Sequence, residues 1–377
     1  MPVEDRPRLA ALDWMRGLAM ILMTVDHASG AFNAGRLFTD SALFWEPGTP
    51  LPPDQFFTRW ITHICAPTFV FLAGAALALS AEKRLSAGTP AGVVDRQIVG
   101  RGLLIAALDP LLISPIWNPG GVLLQVLYAI GLGLVCMAVL RRLGQRWLLG
   151  IGVGLLVFGD ALAGFALTLP PGAPRMAGGL LISGGFFGRL IAGYPLLPWL
   201  AMMMLGWSFG RFLLSRHPQG AARAAPARVL VLWGMTGLAV FLATRGLNGY
   251  GNMLVPRDDG SLVQWLHVSK YPPSLSFAGL ELGLMAICLA GFFRLAARTT
   301  SWPGSKLLLV LGQTALFFYV LHIPLLELGA RALGLWHARG LAATYVATVV
   351  TVALLYPLCV LYRTYKAGRP GGWTRYL

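Results

Sequence analysis

The sequence predicts an all-α, polytopic membrane protein of about ten transmembrane helices. Of its 377 residues, 56% are hydrophobic and only 12% are charged, whereas a soluble domain carries about 25% charged residues. The mean hydropathy of +0.67 agrees with this charge deficit. Apolar runs of about 20 residues, long enough to cross a bilayer as helices, recur along the whole chain. We therefore expect residues 1–377 to form one integral-membrane domain.

Ten segments have the length and composition of a membrane span. The first follows a start of mixed charge and has full spanning length, so we expect a retained anchor helix and no cleaved signal peptide. The four cysteines lie in or beside these segments without metal-ligand spacing, which favours buried, reduced thiols. The segments are 9–32, 60–81, 98–117, 122–140, 147–167, 194–214, 229–244, 274–296, 307–327 and 341–365.

The basic residues alternate in abundance from one connecting loop to the next. One set of loops and segment ends, which includes both termini, holds 21 of the 30 Lys and Arg, and the other set holds nine. The positive-inside rule places the richer set, and with it the N- and C-termini, in the cytoplasm. Because the net charge of +15 is spread between apolar runs, it favours contacts with anionic lipid and argues against a nucleic-acid partner.

Three long outward loops, 33–59, 168–193 and 245–273, are rich in Gly and Pro. Ordered loops of this length often form binding surfaces or lids, although the same composition also suits flexible connectors. No internal repeat is visible, which disfavours a transporter built from inverted repeats.

Ionisable residues inside the spans converge on one depth. His27, His63 and His322 are three of the six histidines, and the predicted orientation places all three in the outer half of the membrane. Such residues are costly in a bilayer and usually serve a function or pair with each other. Each histidine alone also suits a helix-to-helix hydrogen bond. The remaining ionisable residues considered are Asp26, Arg59, Asp109 and Asp160 in the same zone and Glu281 nearer mid-depth.

The first segment carries a stripe of side chains at helical spacing. Arg16, Met20, Met23 and His27 are four, three and four residues apart and fall on one face. Asp13 precedes Arg16 by three residues and can pair with it. Asp26 points about 100° away from His27, so we expect it to face a neighbouring helix and to pair with Arg59 or His63. Two further carboxylates have simple structural alternatives, since Asp160 suits an ion pair with an Arg and Asp109 suits a cap at the break before Pro110.

A histidine at this position suits general acid–base chemistry. Its ordinary pKa is near neutrality, so it can take a proton from a hydroxyl or amine that attacks an acyl carbon. The alternative of a metal site made from three His and an Asp is weaker, because no two histidines have a tight ligand spacing. No metal is expected.

Several segments resemble the bacterial branch of the heparan-α-glucosaminide N-acetyltransferase-like membrane proteins. They are RLAALDWMRGLAMILMTVDH, THICAPTFVFLAGAALALS, YPLLPWLAMMMLGWSFGR, YPPSLSF and LGQTALFFYVLHIPLL. The resemblance implies a membrane acyltransferase that carries an acyl group from cytoplasmic acyl-CoA to a sugar on the far side. The lysosomal members use a His about ten residues further on, whereas residues 28–60 contain no His here. The most specific motifs are LDxxRG and DH, and by analogy the catalytic role is assigned to His27, the histidine of DH.

The resemblance and the ionisable residues together give a set of roles. His27 is the expected base with Asp26 as its support, and the co-substrate is acetyl-CoA or another acyl-CoA. The expected partners are the lipid bilayer and a saccharide acceptor, and a homodimer is compatible with the sequence. The expected location is the bacterial inner (cytoplasmic) membrane. Residues expected to bind the acceptor are His63, Arg59, His322 and Asp160, and those expected to contact CoA phosphates are Arg16, Lys83, Arg84 and Arg101.

Two other classes of protein fit the same residues. A proton-coupled permease would use Asp26, His27, Asp160 and Glu281 as a relay, and a non-catalytic component of an envelope assembly would use none of them. The positive-inside distribution alone also accounts for the basic residues assigned to CoA. A transferase requires His27 to be open to a pocket and not packed dry against aliphatic side chains.

Overall fold

The computed structural model describes residues 9–41, 43–216, 225–299 and 301–369. The described chain is almost entirely helical, with two π-helical turns, Asp109–Ile113 and Gly179–Ser183. The helices are α1 (Ala10–Phe32), α2 (Pro53–Trp60), α3 (Cys65–Ser86), α4 (Ala91–Leu108), α5 (Ser114–Trp117), α6 (Val126–Leu140), α7 (Gln145–Val157), α8 (Gly159–Thr168), α9 (Ala173–Gly178), α10 (Leu196–Arg216), α11 (Ala225–Leu247), α12 (Leu262–Leu266), α13 (Leu275–Arg298), α14 (Ser305–Gln313), α15 (Ala315–Ala332) and α16 (Leu341–Ala367).

The helices confirm the predicted all-α, polytopic membrane architecture. In the described ranges, seven helical stretches are long and apolar enough to cross a membrane, and the pair α7–α8, bent by 60°, raises the number to as many as eight. Helices α1 and α6 occupy the other two predicted segments, so the number ten stays a prediction. The expected cytoplasmic termini fall on residues 1–8 and 370–377, outside the described residues.

The third predicted span differs from a straight helix. After α4 the chain passes through the π-helical turn that begins at Asp109 and contains Pro110. Pro110 lacks the backbone N–H that a regular helix would use. The Asp109 carboxylate accepts hydrogen bonds of 2.7 Å from the backbone N–H groups of Gln125 and Tyr128, at the start of α6. Asp109 therefore caps a neighbouring helix by satisfying its free N–H groups.

A small sheet joins the predicted outward loop 168–193 to residues 122–124, which follow the third predicted span. Its strands are β1 (Val122–Leu124), β2 (Gly185–Phe187) and β3 (Leu190–Ala192), in the order β1-β3-β2. The pair β1–β3 is parallel and the pair β2–β3 is antiparallel. The Gly- and Pro-rich loop 168–193 thus has a partly regular structure and is tied to the end of the third span.

The LDxxRG motif fixes how α1 crosses its neighbours. A Cβ atom on Gly17 would lie 2.1 Å from the carbonyl oxygen of Leu308, and one on Gly312 would lie 1.9 Å from that of Asp13, so α1 and α14 touch through their backbones. Asp13 accepts from Arg16 and from Gln313 of α14, both at 3.1 Å. The predicted pairing of Asp13 with Arg16 is confirmed. The residues of the motif serve to pack α1 against α14.

Replacement of Gly17 by Ala tests this backbone contact. The added methyl group meets a backbone atom that cannot rotate away, so we expect a loss of about 1–3 kcal/mol, measured as a lower unfolding temperature in detergent. Gly100→Ala is the matched control, because a Cβ at this helical position meets nothing within 4 Å. Equal unfolding temperatures for the two variants would contradict the close crossing.

Candidate functional site

A network of buried charges lies at the C-terminal end of α1, which is predicted to face outward. Arg59 of α2 forms ion pairs with Asp26 of α1 and, at 2.6 Å, with Asp40 of the first outward loop. Arg36 adds a second ion pair to Asp26 at 3.0 Å. Asp26, Asp40 and Arg59 are all buried, and their pairing offsets the cost of removing their charges from water. Asp26 therefore faces α2, as its angular position on α1 predicts.

His63 contacts this network through Asp40. Its Nε2 atom lies 3.2 Å from a carboxylate oxygen of Asp40. Burial alone would raise the pKa of Asp40, but the charge of Arg59 and the contact with His63 hold it below its ordinary range. Asp40 is therefore a fixed carboxylate that links α2 to the loop preceding it.

The loop 245–273 is a folded layer over the outer end of the bundle. Arg245 is fully buried and donates hydrogen bonds to the side chain of Asn252 and the carbonyl of Val255, both at 2.8 Å. Asp160, expected in the acceptor site, instead accepts from the backbone N–H groups of Gly251 and Met253 at 2.8 Å. Both donors reach Oδ2, so these contacts anchor the loop, and the described residues show no ion pair between Asp160 and an Arg.

The end of this loop reaches the charged network. The backbone N–H of Lys270 donates to the carbonyl of Asp40 at 2.8 Å. Ser41 donates to the carbonyl of Tyr271 at 2.6 Å, and the Tyr271 hydroxyl lies 3.5 Å from Arg59. Residues 270–274, with the sequence KYPPS, thus pack against the first outward loop and contribute side chains to the same site.

His27 and His322 meet in space. Nδ1 of His27 lies 2.7 Å from Nε2 of His322, and the two rings are nearly coplanar, at 14°. His322 is fully buried, and its Nδ1 lies 2.8 Å from the carbonyl oxygen of Tyr319. Two of the three histidines predicted at one depth are therefore direct partners, while His63 belongs to the Asp40 contact.

The partners of His322 determine where the protons lie. A carbonyl oxygen only accepts, so Nδ1 of His322 carries a hydrogen and, in the neutral ring, its Nε2 is an acceptor. Nδ1 of His27 must then be the donor of the bond between the rings. This inference leaves Nε2 of His27 with a free lone pair, and no partner for it occurs among the described residues.

Aromatic rings hold His27 from two further sides. The ring of Trp117 lies edge-on with its centroid 5.0 Å from that of His27, and the ring of Tyr319 lies at 6.1 Å. Glu327 accepts a hydrogen bond of 2.9 Å from the Trp117 indole and one of 3.0 Å from the Trp336 indole. His27 is half-buried and has aromatic rings beside it on several sides.

The basic residues expected to contact CoA divide into two groups. Arg16 is held by Asp13 and by the carbonyl of Leu72 at 3.1 Å, whereas Lys83, Arg84 and Arg101 are exposed. Arg101 interacts electrostatically with Arg16 and Arg84. Three of these four basic residues therefore lie in one region. Between this region and His27, Met20 and Met23 are buried in the main core.

Several residues of the site carry no signal in the sequence. Asp40 and Arg36 lie in a loop without periodicity, and Lys270 lies in the loop 245–273, for which the sequence indicated only a binding surface, a lid or a connector. The four residues of the proposed relay are not joined by hydrogen bonds within the described chain, because Asp26 and Asp160 have other partners. In the same residues no group of three or more His, Cys, Asp or Glu is arranged to hold a metal ion.

Comparison with known families identifies the class of protein. Residues 8–245, more than half of the chain, match the model of the family described as heparan-alpha-glucosaminide N-acetyltransferase, catalytic. The matched part contains His27, the Asp26–Arg59–Asp40 network and the four basic residues. It ends before Lys270 and His322, so the resemblance of the later segments remains a prediction. A search of curated proteins gave no match.

The chain is thus a multi-pass membrane protein of the acyltransferase type. It belongs to the heparan-alpha-glucosaminide N-acetyltransferase catalytic family, as the LDxxRG and DH motifs predict.

Replacement of Asp40 by Asn tests the charged network. Because the pKa of Asp40 is lowered in the folded protein, its contribution to stability is present at neutral pH and is lost as the pH falls below about 4. We expect Asp40→Asn to cost on the order of 3 kcal/mol at pH 7 and to weaken the loss of stability in acid. Thermal unfolding across pH measures both, with the exposed Glu46→Gln as control, and an unchanged acid profile would refute the assignment.

Replacement of Glu327 by Leu tests the support of Trp117. The half-buried indole of Trp117 would lose its acceptor, which costs about 1–3 kcal/mol, whereas the indole of Trp336 is exposed and can bind water. Glu327→Gln keeps an acceptor and should cost less. A double-mutant cycle of Glu327→Leu with Trp117→Phe should show strong coupling in the unfolding free energy. Additive effects would mean that Glu327 does not hold Trp117.

Proposed function

We propose that this protein transfers an acyl group, in the simplest case acetyl, from cytoplasmic acyl-CoA to a sugar-type acceptor on the periplasmic side of a bacterial inner membrane. His27 is the general base. The observation that carries this proposal is the hydrogen bond between His27 and His322, because it fixes the His27 ring and leaves its Nε2 as an acceptor without a partner in the described part of the chain.

The geometry suits proton removal from an attacking hydroxyl or amine. In the transfer, the acceptor O–H or N–H gives its proton to Nε2 of His27 while the acceptor atom bonds to the acyl carbon. The carbon–sulfur bond of the thioester then breaks, and the CoA thiolate takes the proton from the His27 imidazolium. His322 orients the base by accepting its Nδ1–H, a task that a carboxylate performs in other triads.

The donor enters from the opposite side of the membrane in this proposal. The region of Arg16, Arg84 and Arg101 receives the CoA phosphates, and His27 lies eleven residues beyond Arg16, or roughly 16 Å along the helix axis. Met20 and Met23 line this path. Their unbranched side chains adapt their shape readily, so an extended thioester arm can displace them where branched side chains would resist.

Asp26 supports this chemistry without touching the reacting atoms. Its carboxylate is shared between Arg36 and Arg59, both of which contact Oδ1, and the described residues show no hydrogen bond between Asp26 and the His27 ring. It acts on His27 through its charge. Because this negative charge is fixed close to the imidazolium that forms during transfer, it stabilises that cation.

His27→Gln tests the base assignment. The amide keeps a polar group of similar length but cannot take up a proton, so we expect turnover to fall by about 10²–10⁴-fold. Purified protein is reconstituted in vesicles with labelled acetyl-CoA and candidate sugars, and both free CoA and labelled sugar are measured. His337→Asn is the control, because His337 is exposed and has a positive φ that Asn tolerates.

The same assay separates His27 from His322 and from a permease. His322→Gln should lower turnover less than His27→Gln and shift the pH profile of the reaction, because the base loses its orienting acceptor. Undiminished turnover in His27→Gln would reject the base role. Uptake of solute by the vesicles without acyl transfer would reject the transferase in favour of the permease.

A further inference from the structure

Lys270 is a buried cation at the predicted outer end of the bundle. Only 3% of its surface is exposed, and its backbone N–H is fixed by the carbonyl of Asp40. Its ammonium lies 5.2 Å from the centroid of the Tyr271 ring, a contact that supplies part of the lost hydration. Among the described residues, no carboxylate comes within 4 Å of it.

The neighbouring carboxylates are already neutralised by other cations. Asp26 pairs with Arg36 and Arg59, and Asp40 pairs with Arg59. The two carboxylates and two guanidinium groups therefore balance each other, and the ammonium of Lys270 is a surplus positive charge. This charge acts on His27 and His63 as well as on both carboxylates, which places it centrally in the site.

A buried ammonium without an ion-pair partner is costly, and a bound anion removes that cost. We propose that the Lys270 ammonium binds a carboxylate or phosphate group of the acceptor, so that the acceptor is an acidic saccharide. This inference rests on the proposed acyl transfer. The acidic group is held by Lys270 on the outer side while a hydroxyl or amine of the same sugar faces Nε2 of His27.

Glu281 is the competing partner for this charge. Its side chain is 1% exposed, and one of its carboxylate oxygens has no hydrogen-bond partner. It also interacts electrostatically with Lys270. It lies on α13, beyond ion-pair distance from the ammonium. If Lys270 served mainly to neutralise Glu281, its removal would destabilise the protein and removal of both charges would restore stability.

The test compares two sugars that differ only in charge, methyl glucuronide and methyl glucoside. Binding is measured by the rise in unfolding temperature of the full-length protein in detergent, which does not depend on turnover. We expect the glucuronide to bind wild type more tightly than the glucoside. Lys270→Met should weaken glucuronide binding by about 30-fold or more and leave the glucoside unaffected. Lys306→Met is the matched control, because Lys306 is an exposed lysine of α14.

Each outcome decides the proposal. Equal binding of both sugars by wild type, no binding of the glucuronide, or a preference that survives in Lys270→Met would overturn it. A destabilised Lys270→Met protein that Glu281→Gln restores would also overturn it, in favour of the internal ion pair. Preferential glucuronide binding without any release of CoA would retain the anion site and reject the transferase.

Discussion

Charged side chains inside an apolar bundle must be paired, and the Asp26–Arg59–Asp40 network is where this protein meets that constraint. Arg59 is held between two carboxylates, one from α1 and one from the first outward loop. Since each charge depends on the others, α1, α2 and this loop are fixed relative to one another. The loop carrying Lys270 and Tyr271 then docks on the same group, and so the outer wall of the site is built around one guanidinium.

The histidine pair lies beside this network but is chemically separate from it. Asp26 pairs with two arginines and not with His27, and the orientation of His27 comes from the ring of His322, which itself lies against a backbone carbonyl. The ring of His27 is therefore bonded to another imidazole and not to a charged group, while the charge of Asp26 acts on it only from a distance.

The sequence predicted the helices well because twenty-residue apolar runs have few alternatives in a membrane. It also predicted that Asp26 would pair with Arg59 or His63, of which Arg59 is the partner, and that histidines would share a depth. It did not predict which histidines meet, because depth along a helix says nothing about the direction in which neighbouring helices lie. Asp40, Arg36 and Lys270 escaped notice since a loop has no periodicity, and only the folded chain brings residue 270 beside residue 40.

The close crossing at Gly17 changes what the family motif signifies. Asp13 and Gly17 hold α1 against α14, and Arg16 reaches a backbone carbonyl of α3. The motif thus marks the assembly of the scaffold, while the proton chemistry is assigned to a histidine ten residues further along the same helix. Descendants of this scaffold that lost the histidine would retain the motif, because their helices would still have to cross. Diagnosis of catalytic competence in related membrane proteins should therefore depend on the residues at the outer end of the helix.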